Sequence, residues 1–171
     1  VDGLLADGHP PALLETQRLV ERDGPVDLAD PIARVDELHN AAESTVRPMI
    51  VERSMTDGWL SNTYLVAAAP GGDAFVVDAG GPMDPLFAKA DEHDLTVTHV
   101  LLTHHHGDHV AALGEVLERW PDAEVLIHAG EREHVLGATG DLEPDAEIEL
   151  AGLTVRTLHT PGHTNGMLSL L

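Results

Sequence analysis

The sequence contains no cysteine. That absence removes disulfide scaffolds, thiolate zinc fingers, iron–sulfur clusters and thiol nucleophiles together, so any metal site has to be built from His, Asp and Glu. Lysine is nearly absent too. Lys89 is the single one, and with eight arginines it faces 30 Asp and Glu, a formal charge of -21 before the 12 histidines titrate. A field of that sign repels phosphate backbones and anionic headgroups, which sets aside nucleic acid and a membrane surface as partners and ranks ribonuclease chemistry low. No apolar run approaches the roughly 18 residues of a membrane span, and residues 1–8 lack the basic and apolar regions of a signal peptide. The expectation is a soluble cytoplasmic protein. Its acid excess suits either a high-salt cytoplasm or an ordinary acidic solubility surface.

What is present is enough for a core. Apolar residues make up 43% of the 171 and charged residues 23%, a globular composition of one domain, or one domain with an extension. Residues 1–47 read as the extension: two short helices divided by Gly24-Pro25, the second opened by Asp30 as N-cap and Pro31 as first helical residue. They carry no recognisable chemistry, and His9 and His39 read as solvated helix-surface residues. From Pro48 the apolar period changes to two. Strands are expected over 49–53, 62–69, 74–79, 96–103, 124–128 and 153–159, and helices over 84–94, 110–120 and 130–136. Strands alternating with helices define an α/β domain over 48–171.

The chemistry concentrates in Thr103-His104-His105-His106-Gly107-Asp108-His109, directly after a buried strand. Loops leaving the C-terminal ends of strands are where open α/β folds place ligands. His104 and His106, two apart, leave the same face of an extended segment, whereas His105 points away and is excluded as a ligand. Gly107 lets the chain turn, bringing Asp108 and His109 close enough to serve a second metal. Imidazoles with a carboxylate and no sulfur suit Zn(II), Fe(II) or Mn(II). A polar loop with Asp108 as a helix cap would explain a lone HxH, but not the full HxHxDH pattern. Downstream, Thr160-Pro161-Gly162-His163-Thr164-Asn165-Gly166 follows another strand and projects one more imidazole from a tight loop.

These residues resemble the metallo-β-lactamase-fold superfamily. His104, His106, Asp108 and His109 match its HxHxDH signature, His163 matches its downstream metal-binding His, and Val77-Asp78-Ala79-Gly80 resembles the Asp-x-Gly that precedes the signature. Residues 61–65 and 160–166 look most like the glyoxalase II and persulfide dioxygenase branch. The resemblance, over about residues 48–171, implies an αβ/βα sandwich with one or two metal ions, Zn(II) first and Fe(II) or Mn(II) as alternatives. His104, His106 and His163 would hold one ion, and Asp108 and His109 a second. Asp108 is counted both as a ligand and as the catalytic carboxylate. Asp78 would orient a ligand His by hydrogen bond. The family's bridging Asp and last His have no counterpart among the eight residues after His163.

The implied function is a metal-dependent hydrolase whose metal-activated hydroxide attacks a thioester or ester carbonyl, as in glyoxalase II, on a small substrate such as an S-acyl thiol conjugate. The alternatives are an Fe(II)-dependent persulfide dioxygenase-like enzyme and a non-catalytic metal-binding module. The closing run Met167-Leu168-Ser169-Leu170-Leu171 reads as a buried strand, so the chain is expected to be a fragment whose domain lacks its C-terminal part. An open sheet edge would favour a homo-oligomer. Were the missing ligands internal, His128, His134 and His159 would be the first candidates.

Overall fold

The computed structural model describes residues 49–171 apart from Asp57 and Trp59; the two expected helices of residues 1–47 lie outside the described residues. Strand β1 (Ile50–Met55) pairs antiparallel with β2 (Asn62–Ala67), setting Ile50 opposite Ala67 and Met55 opposite Asn62. The turn after β2 uses Gly71 at φ 75°, and β3 (Asp73–Val77) returns antiparallel. Helix α1 (Asp84–His93) has Pro85 in its first turn, where no N–H is needed, and stops at Asp94, whose φ of 54° takes its N–H back to Ala90 and Asp91. It crosses to β4 (Thr96–Leu102), which lies parallel between β3 and β5 (Glu124–Ile127), and β6 (Gly140–Asp141) closes the six-stranded sheet.

The sheet is covered on both sides. Leu65, Val76, Val100 and Val125 stand in register across β2 to β5 and face the helices, meeting Leu86 and Ala90 of α1. The opposite face carries Val66, Phe75, Leu101 and Leu126 against a second sheet of β7 (Glu147–Leu150), β8 (Leu153–His159) and β9 (Leu168–Leu170), which contributes Leu150, Val155 and Leu168. Each such side chain removed from water is worth roughly 1.5–3 kcal/mol. Val100, Leu101 and Leu102 are consecutive and all fully buried, the continuous apolar run of a strand covered on both faces. The end of β4 is thereby held rigidly where its loop begins.

Two expectations change. The helix expected over 110–120 is two pieces, α2 (Gly107–Val110) and α3 (Leu113–Arg119). The Ala112 N–H donates to the Ala79 carbonyl at 2.7 Å and the His109 carbonyl accepts from Ala79 N–H at 2.6 Å, so this stretch is stitched to the chain after β3 instead of continuing the helix. The helix expected over 130–136 is only a 3₁₀ turn at Arg132–His134. Strands β6 and β7 had no counterpart in the expected elements. β7 forms a hairpin with β8 through Ala151 and Gly152, both at positive φ. No described helix is long and apolar enough to cross a membrane.

Candidate metal centre

The site begins at the C-terminal ends of β3 and β4. Asp78, just past β3, has a left-handed backbone (φ 55°) and is buried, a conformation Asp tolerates better than most residues. Its Oδ1 accepts the Thr103 N–H at 2.8 Å, and the Thr103 hydroxyl lies 3.1 Å and 3.0 Å from its two oxygens. A carboxylate only accepts, so that hydroxyl donates to Asp78 and is left to accept the Nδ1 hydrogen of His104, 3.0 Å away. The proton on Nδ1 leaves a lone pair on His104 Nε2. That nitrogen is buried without any hydrogen-bond partner.

Around it converge the other imidazoles. One ring nitrogen each from His104, His106 and His163 lies within 4.8 Å of the others. His106 Nδ1 and His163 Nε2 are 2.8 Å apart, and the ring centroids of both lie within 5 Å of that of His104. Burial, and then the neighbouring His109, bring the His104 imidazole down to about 4 against the pull of Asp78, so it is neutral near pH 7 and in the form that binds metal. An unpartnered buried lone pair costs about 1–3 kcal/mol. A divalent cation bound by the three nitrogens would offset that cost, so the donor set fits a metal ion.

Asp108 and His109 stand beside this cluster and do not join its three nitrogens. The His109 ring centroid is 4.1 Å from that of His104. Its Nδ1 donates to Asp78 Oδ2 at 2.7 Å, and its Nε2 is 3.4 Å from Asp108 Oδ2. The hydrogen bond to Asp78 raises the His109 pKa above the usual imidazole value, with burial opposing it. The loop is seated by Gly80: a Cβ there would lie 1.7 Å from the Asp108 carbonyl oxygen, so only glycine permits the approach of the two loops.

His105, outside the cluster, turns its Nδ1 to the carboxylate of Glu131, and its ring lies 4.7 Å from that of His134. Glu131 is 2% exposed, and its Oε1 accepts the Gly166 N–H at 2.7 Å. Burial opposes its ionisation, but the donors around it, His105 first and then the Thr164 side chain and the Gly166 N–H, outweigh it and draw the carboxyl down to about 2. His128 and His159 stack at 5.3 Å with an interplanar angle of 4°, and neither belongs to the three-nitrogen cluster. Sequence reasoning gave no role to Thr103 or Glu131. The signal for Thr103 was its hydroxyl next to a ligand His. For Glu131 it was an acidic residue just beyond β5, at the same end of the sheet as His104.

Residues 56–171 match the Metallo-beta-lactamase superfamily, and the chain belongs to it. Among similar proteins, the hydroxyacylglutathione hydrolase of Synechococcus sp. is 38% identical over 96 residues, 56% of this chain and 37% of that protein. The hydroxyacylglutathione hydrolase of Xylella fastidiosa (strain M12) is 36% identical over 115 residues, 64% of this chain and 42% of that protein. The chain thus spans about two-fifths of the length of these relatives. Among solved structures, ETHE1 from Myxococcus xanthus superposes with a TM-score of 0.62 at 30% identity, covering 72% of this chain and 53% of that one.

Proposed function

We propose that the protein is a metal-dependent hydrolase of thioesters, with Zn(II) held by His104, His106 and His163 and a small S-acyl thiol conjugate as substrate. The observation that carries this reading is the unpartnered Nε2 of His104, buried among two further imidazoles. A divalent ion bound there acidifies a water molecule and polarises the substrate carbonyl. The chain's own part is to hold the imidazoles in fixed orientations. Asp78, through Thr103, keeps the proton of His104 on Nδ1 and directly keeps that of His109 on its Nδ1, so both rings offer Nε2. Asp108 and His109 would hold a second ion, and Asp108 would also serve as the catalytic carboxylate. Relatives named hydroxyacylglutathione hydrolase at 34–38% identity support the thioester class. A cytoplasmic location is part of the same reading, supported by the Arabidopsis thaliana relative named as cytoplasmic.

The persulfide dioxygenase-like alternative is supported by the likeness to ETHE1 and differs in requiring Fe(II). The test is made on the full reading frame that contains these residues. Zn(II)-loaded protein releases thiol from a hydroxyacylglutathione thioester, and His104→Ala with His106→Ala abolishes that release. Activity that needs Fe(II) and consumes oxygen, or thiol release that survives the double substitution, overturns the proposal.

A further inference from the structure

The three clustered imidazoles come from two loops on different sheets: His104 and His106 follow β4, and His163 lies between β8 and β9. His163 is exposed and His106 partly exposed, so core packing does not hold their side chains, and the backbones of the two segments meet where the Leu168 N–H donates to the Thr103 carbonyl at 3.0 Å. A third loop, after β5, reaches both. The buried carboxylate of Glu131 accepts from Gly166, three residues past His163, through Oε1. Its Oε2 meets His105, which sits between the two ligand residues of the other loop. The fit on the Gly166 side is close, since a Cβ there would lie 2.5 Å from His128 Nδ1, 2.6 Å from Glu131 Cγ and 2.9 Å from its Oε1. A buried carboxylate is costly unless its lone pairs are satisfied. Here the satisfying donors are the two loops themselves, so separating the loops strands the charge.

We propose that Glu131 is a positioning residue that ties the His104–His106 loop to the His163 loop and so sets the spacing of the three imidazoles. The inference rests on the reading of those imidazoles as a metal site. Acting through His105 and Gly166, Glu131 touches no metal and no substrate.

The test is Co(II) titration of the 171-residue chain, read by visible absorption, which reports both affinity and coordination geometry. Thermal unfolding of the metal-free proteins is followed alongside. Glu131→Gln keeps the size and one acceptor oxygen. Gly166→Ala and His105→Ala each break one half of the tie from the other side, and they carry the test should Glu131→Gln not fold. The folded variants are expected to bind Co(II) at least about tenfold more weakly, in the range seen when groups that orient metal ligands are removed. Their spectra at saturation are expected to differ from wild type, which a loss of stability alone would not produce. Wild-type affinity and spectrum in the folded variants overturn the tie and leave the metal site standing. Failure of the wild-type chain to bind Co(II) overturns both.

Discussion

Asp78 accepts the Nδ1 hydrogen of His109 at 2.7 Å, and through the Thr103 hydroxyl the same carboxylate fixes the Nδ1 hydrogen of His104. One side chain therefore sets the tautomer of two neighbouring histidines, whose ring centroids are 4.1 Å apart. Removing the acceptor frees both rings to carry the proton on Nε2, where it blocks coordination. Asp78→Asn is expected to weaken metal binding by about 10–100-fold, and Thr103→Val to do so through His104 alone. Isothermal titration with Zn(II) measures both. Unchanged affinity in Asp78→Asn would contradict the relay.

The acid limb of stability should report Glu131. Its folded pKa of about 2 lies below the ordinary value of 4.5, so its contribution is fully present above about pH 4.5 and is lost as the pH falls through 2. The size is roughly 3 kcal/mol. Denaturant unfolding of the metal-free chain at pH 5 and pH 3 is expected to show a smaller loss in Glu131→Gln than in wild type. Equal losses in the two proteins would remove the linkage.

Gly80→Ala should be among the most damaging single-methyl changes in the domain. The added carbon meets a backbone oxygen, that of Asp108, and not a side chain that can rotate away. The expected cost is about 3 kcal/mol or more, together with loss of metal binding as the His104–His109 loop is pushed off β3. Chemical denaturation measures the first and Co(II) absorption the second. A variant within 1 kcal/mol of wild type would show that the loops do not need this approach.

Thirty carboxylates against nine basic side chains should make the fold salt-responsive. The Debye length falls from roughly 10 Å at 0.1 M to 3 Å at 1 M, weakening mutual repulsion. The unfolding midpoint is expected to rise between low and molar KCl, as a high-salt protein requires. A flat or falling midpoint favours an ordinary acidic surface.

Much of this was legible in the sequence because it is written locally. The apolar run ending at Leu102 with the HxHxDH loop behind it, and the loop around His163, each declare themselves within seven residues or so. What stayed hidden depends on partners distant in the chain. The break at Ala112 exists because its N–H finds Ala79, while residues 110–120 alone keep a helical period throughout. Glu131 reads as one more acidic residue in an acidic chain until the fold brings His105 and Gly166 to its two oxygens. Strand β7, four residues long, gains its identity from pairing with β8, and a pattern that short is ambiguous by itself.

A metal ion held by His104, His106 and His163 should be visible in the metal content of the protein. The untagged chain, purified and dialysed, is analysed for bound metal beside a His104→Ala, His106→Ala variant shown to be folded. At least one divalent ion per wild-type chain is expected, and essentially none in the variant. Equal metal content in the two proteins would show that these histidines hold no metal.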